Sequence, residues 1–258
     1  MIMIISPAKT LDFTKENKAG YSTDLIFNDE TKELIEVLNK YSINELSKLM
    51  KISEKLAEEN YNRYQKFFTD KIVSKEALLA FDGAVYKGID SKHFDEKDLE
   101  YAQKNLRILS GLYGVIRPLD MIKEYRLEMG TKLKFDGYGN LYNYWGDKLT
   151  KIILQDIENS YGDKVLVNIA SNEYSKALNL KEIDKEYKVI NIEFKERKGD
   201  EYKVVGTYAK KARGLLVNYI IKNKITKVDD IKAFNKENYI LNSELTTDKE
   251  FIFTREGL

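Results

Sequence analysis

Arginine, lysine and glycine fall in this chain where a phosphate would need them. Of seven Arg, three (Arg107, Arg117 and Arg126) lie between positions 107 and 133. Between the first two runs Leu109-Ser110-Gly111-Leu112-Tyr113-Gly114-Val115, an apolar segment interrupted by two glycines. The pattern reads as a tight hairpin between two helices, the glycines supplying backbone conformations that other residues resist. Amides at such a turn, beside a helix N-terminus, hold phosphate, so this helix-hairpin-helix would grip a DNA backbone without reading its sequence. The candidate contacts are the amides of Gly111 and Gly114, the Ser110 hydroxyl, and Arg107 and Arg117 on either side. Tyr113 either packs inside or stacks on an exposed base at a distorted site. A second cluster, Lys210, Lys211 and Arg213, sits in the most one-sided charge segment: residues 202–224 carry six basic residues and no acid. With Lys9, at the end of a first strand, it would form the opposite wall of a positively charged cleft.

A different set carries both charge signs. Arg126, Glu128, Ser171 and Glu173, with Lys9 and Arg213, would line a pocket for an enzyme acting on a nucleotide or a phosphorylated small molecule. No catalytic residue is assigned. Ser6 and Lys9 match a bare Ser-x-x-Lys acyl-transfer pattern, but no companion motif follows and Pro7 points to a strand-to-loop turn. Asp82, Glu128, Asp147 and Glu173 have no recognised ligand spacing, so no metal and no cofactor is assigned. Cys is absent and His93 is the only histidine, which excludes thiolate catalysis, disulfides and zinc sites built from several His or Cys.

The elements that must position these residues are mixed. The chain has 258 residues, 43% hydrophobic and 33% charged, with a net charge of +1, so a polyanion would be held by a local patch. Ile2–Ile5 reads as a buried strand and Asp24–Phe68 as helical, with Ser42 and Ser53 as caps. Ala77–Phe81 reads as a strand or a buried helix end. Asp95 caps a helix running into the glycine hairpin, and Pro118 suits the first turn of the helix after it. Asn143–Ile157 is predicted helical and Lys164–Ala170 a strand. Tyr187–Glu196 and Glu201–Tyr208 are predicted to pair antiparallel about Gly199, before a helix reaching about Asn223. A short helix at Asp229–Phe234 and a strand at Phe251–Arg255 close the chain. Without regular alternation the pattern is α+β, a single mixed domain over residues 1–258. No run approaches the roughly 18 apolar residues of a membrane span, and MIMII does not resemble a signal sequence, so a cytoplasmic protein is expected.

Seven blocks together resemble one family. They are ISPAKTLDF (5–13), FDGAVYKGI (81–89), LRILSGLYGVIRPLDMIKEYRLEMGTKL (106–133), YWGDKLT (144–150), VNIASNEY (167–174), FKERKGDEYKVVGTYAKKARG (194–214) and FIFTR (251–255). In order and spacing they are similar to the YaaA family of bacterial peroxide-stress proteins. The resemblance implies a single α+β domain with a helix-hairpin-helix and a basic cleft that binds duplex or branched DNA. It also implies a role in iron homeostasis, limiting iron-driven oxidative damage to DNA.

Overall fold

The computed structural model describes residues 1–14, 20–69 and 72–257. The main sheet is built from β1 (Ile2–Ile5), β2 (Leu106–Ser110), β3 (Gly114–Ile116), β4 (Val165–Asn168), β5 (Lys188–Lys198), β6 (Glu201–Lys203), β7 (Ile240–Leu241) and β8 (Glu250–Arg255). Its order is β7-β8-β5-β4-β1-β2-β3, with β6 on β5. Five strands, β8, β5, β4, β1 and β2, run parallel, while β3, β6 and β7 pair antiparallel at the margins. The first and last strands thus share one sheet. Every residue of β1 and β4 is buried, as expected of parallel strands covered on both faces.

The helices are α1 (Asn28–Leu38), α2 (Ile43–Met50), α3 (Glu54–Gln65), α4 (Ala77–Ala80), α5 (Ala84–Ile89), α6 (Glu96–Asn105), α7 (Leu141–Trp145), α8 (Lys148–Asn159), α9 (Asn172–Ser175), α10 (Leu180–Glu186) and α11 (Gly206–Lys222). Local hydrogen bonding sets several starts. Ser42 and Glu45 form a reciprocal capping box, Ser53 accepts from the Leu56 amide, and Asp95 accepts from the Asp98 amide at 2.8 Å. The expected 143–157 helix is two, broken at Gly146, whose φ of +45° no helix accommodates. Asp98 then ties α6 to the end of α11. Burial opposes its ionisation, but the ammoniums of Lys222 and Lys224 and the Asp95 amide outweigh it and pull its pKa down to about 2.

Mixed α and β architecture holds, but with a largely parallel sheet that an α+β reading does not imply. The helix-hairpin-helix does not form. Residues 106–116 make a β hairpin, with Ile108 opposite Ile116 and Ser110 opposite Gly114, and all are buried. Pro118 opens no helix: it lies in a turn where the Arg117 amide donates to Asp120 at 2.8 Å. Ser110 Oγ accepts from the Leu112 and Tyr113 amides at 3.2 and 3.1 Å and pairs with the Tyr125 hydroxyl at 2.7 Å. These amides are spent inside the protein. Gly111 is required by close approach, since a Cβ there would lie 2.4 Å from the Leu127 carbonyl oxygen. Gly114 is required by its φ of +70°. Ser110→Ala therefore costs about 1–3 kcal/mol by orphaning buried donors, measured by denaturant unfolding. Its folded fraction keeps its ligand affinity; lost affinity in fully folded protein would restore the hairpin as a contact.

Candidate functional site

β1 and β4 are hydrogen-bonded neighbours running the same way, Ile4 opposite Asn168, so the loops leaving both strands emerge at one edge of the sheet. That edge is where parallel α/β sheets commonly bind ligands. Ser6 follows β1 and Ser171 opens α9. The Ser6 hydroxyl donates to Ser171 Oγ at 3.1 Å and accepts from the Ser171 amide at 2.9 Å, locking the two loops together. Tyr86 of α5 donates to the Ser6 carbonyl at 3.1 Å and brings a third element to the same place. α11 supplies the fourth.

A cavity of about 310 Å³ opens between them. Lys9, Ser171, Glu173, Lys210 and Arg213, named from sequence, all line it, together with Asp82 and Tyr86. Arg126 and Glu128 join through ion pairs: Glu128 accepts from Lys9 at 2.7 Å and from Arg126 at 3.0 Å. Glu173 is held from the other side by the Gly130 amide at 3.0 Å. The mixed-charge set therefore converges.

The remaining predicted contacts do not. Arg107 is buried and paired through Nε with Asp156 at 2.6 Å, while its Nη1 donates to the Gln103 and Leu106 carbonyls. Ser110, Gly111, Tyr113 and Gly114 are sealed in the hairpin, and Tyr113 donates to the Lys123 carbonyl rather than facing a base. Arg117 is half-buried outside the cavity. Lys211, one position along α11 from Lys210, pairs with Glu237 in a neighbouring hollow.

That hollow, about 550 Å³, shares Ala84 with the first cavity, and a third of about 670 Å³ shares Asp82 and Tyr86 with it. The second and third share Lys87. α5 is thus a rib standing among three adjoining depressions. It is held against α11 by backbone contact at Gly88 and Gly214, where a Cβ on Gly214 would lie 1.9 Å from the Val85 carbonyl oxygen. Nothing local in the sequence singles out Tyr86 or Lys87. Their only signal was membership of the FDGAVYKGI block, which carries no recognisable ligand spacing.

The chemistry on offer is binding and orientation. Arg213 is largely buried, its Nε has no hydrogen-bond partner, and burial lowers its pKa, so an anion beside it would be strongly welcomed. Lys87, Lys210 and Arg213 make no ion pair among the described residues. Burial pushes the Tyr86 and Tyr174 hydroxyls upward, so both stay protonated at neutral pH. Ser6 is bonded to Ser171 and Lys9 to Glu128, so the Ser-x-x-Lys pair is not assembled as nucleophile and base. Among the described residues no group of three or more His, Cys, Asp or Glu is placed to hold a metal. No helix among them is long and apolar enough to cross a membrane.

The fold and site define a class: mixed α/β proteins whose parallel sheet carries a charged, ligand-sized cavity at the C-terminal edge of its central strands. The family described as "Peroxide stress protein YaaA" matches residues 1–245, and the chain belongs to it. Similar relatives cover the whole length. A UPF0246 protein of Clostridium perfringens is 47% identical, over 99% of this chain and 100% of the relative. One from Clostridium botulinum is 47% identical over the full length of both. One from Francisella philomiragia is 46% identical over 99% of this chain and all of its own.

Proposed function

We propose that this peroxide stress protein binds DNA without sequence preference, through phosphate contacts in the cavity and along the α5–α11 rib. The observation that carries the reading is the set of cations without carboxylate partners, Lys87, Lys210 and Arg213, brought from two distant segments to adjoining depressions about α5. Lys9 stands at its rim, with its side chain 63% exposed. Eight Lys and Arg against five carboxylates line the three depressions, a local positive excess in a chain of net charge +1. The contacts come from these residues and not from the glycine hairpin. Covering the backbone of bound DNA is how the protein would limit iron-driven oxidative damage to it.

One observation favours a second reading, an enzyme acting on a nucleotide or a phosphorylated small molecule: Asp82 and Glu173 share the cavity with the cations. One experiment separates the two. Duplex affinity is titrated against salt for the natural chain and for Glu173→Gln, and both are scored for peroxide survival in cells lacking the natural gene. Six phosphate contacts give a log–log slope of about −5. DNA binding as the function predicts that slope and survival that follows affinity. A flat slope removes the backbone reading, and lost survival at unchanged affinity favours the enzyme.

A further inference from the structure

The third depression differs in character from the cavity beside it. Leu78, Leu79, Phe81 and Tyr86 supply its apolar lining, and Lys75, Lys87, Lys92, Asp12, Asp90 and Ser91 line it too. Phe81 and Tyr86 lie with ring centroids 5.1 Å apart, and Leu79 is the accessible part of the wall. Its volume, about 670 Å³, is that of a small-molecule site. Asp82 and Tyr86 line both it and the cationic cavity. Apolar lining with polar groups beside it, the Asp82 carboxylate shared by both depressions and the cations of the first cavity match one ligand in three parts. That ligand has a flat heterocyclic ring, a sugar hydroxyl and a phosphate.

We propose that the two depressions together hold one nucleotide. Its base lies against Leu79 and the Phe81–Tyr86 wall, its sugar crosses at Asp82, and its phosphate meets Lys9, Lys210 and Arg213. The phosphate half rests on the DNA-binding reading; the base half rests on the apolar slot. The nucleotide comes either from an unpaired position in a strand or from the free pool, and the chemistry is the same. In a strand, one base is withdrawn from its stack into the slot, and base contact with such a wall is sequence-tolerant.

The test uses the full chain, with fluorescence anisotropy on three duplexes: fully paired, with one central unpaired adenosine nucleotide, and with an abasic residue there. Deoxyadenosine monophosphate is titrated separately by calorimetry. An unpaired base in the slot gives roughly tenfold tighter binding than either the paired or the abasic duplex. Leu79→Gln, which strips the wall, and Leu79→Trp, which fills the slot, each bring that ratio toward one, with folding checked by thermal melting. Saturable mononucleotide binding abolished by Leu79→Trp supports the pocket with the free nucleotide as its source. Equal affinity for all three duplexes with no mononucleotide binding overturns the pocket and leaves the backbone reading standing. Mononucleotide binding without any duplex binding keeps the pocket and removes the backbone reading. No binding of any probe removes both.

Discussion

Replacing Lys9, Lys210 and Arg213 together by glutamine lowers duplex affinity roughly a hundredfold near 0.1 M salt, and flattens the log–log salt slope from about −5 to about −2. Each lost phosphate contact removes about 0.9 from that slope, whatever the duplex sequence, so every duplex is weakened alike. The fold is spared. Lys9 is an exposed partner of Glu128, worth little to stability. Arg213 is a largely buried cation with an unbonded Nε, so replacing it relieves a desolvation cost. Electrophoretic or anisotropy titrations at several salt concentrations measure the effect, and an unchanged slope would place the phosphate contacts elsewhere.

The second large effect is on stability. Gly214→Ala forces a methyl group to within 1.9 Å of the Val85 carbonyl oxygen and 2.9 Å of Gly88 Cα, both backbone atoms. No side chain can swing aside, so α5 and α11 must separate. The loss is about 3 kcal/mol or more, at the upper end of overpacking effects, read as a lower urea midpoint. DNA affinity falls with it, because Arg213 is the preceding residue. Gly206→Ala at the start of the same helix meets nothing within 4 Å. It is neutral or slightly stabilising, by less than about 1 kcal/mol. A Gly214→Ala protein as stable as the natural one would contradict the close contact.

Some of this was legible in the residues themselves. The caps at Ser42, Ser53 and Asp95 could be read because a cap is a hydrogen bond between residues three apart. The glycine hairpin could not. Leu109 through Val115 is buried at every position, and a run without alternation does not distinguish a strand from a buried helix end. Glycines also serve either kind of turn. Arg107 reads as a phosphate ligand because its partner, Asp156, is distant in sequence and reaches it only through the packing of α8 against β1 and β3. The parallel order of the sheet was hidden for the same reason: its crossovers vary widely in length and some carry several helices. The convergence of Lys9, Glu128, Ser171, Glu173 and Arg213 follows in the sequence only from charge chemistry at strand and loop ends. What makes it real is the adjacency of β1 and β4, which no local pattern records.

The glycine contact between α5 and α11 also acts as a ruler. Lys87 and Lys210 belong to segments separated by most of the sheet, yet their helices touch backbone to backbone, with no side chain between them whose rotamer could vary. The spacing of the helices that carry these charges is set before any ligand arrives, so the proposed phosphate contacts would cost less ordering entropy. Length changes in exposed loops between α5 and α11 leave that spacing untouched.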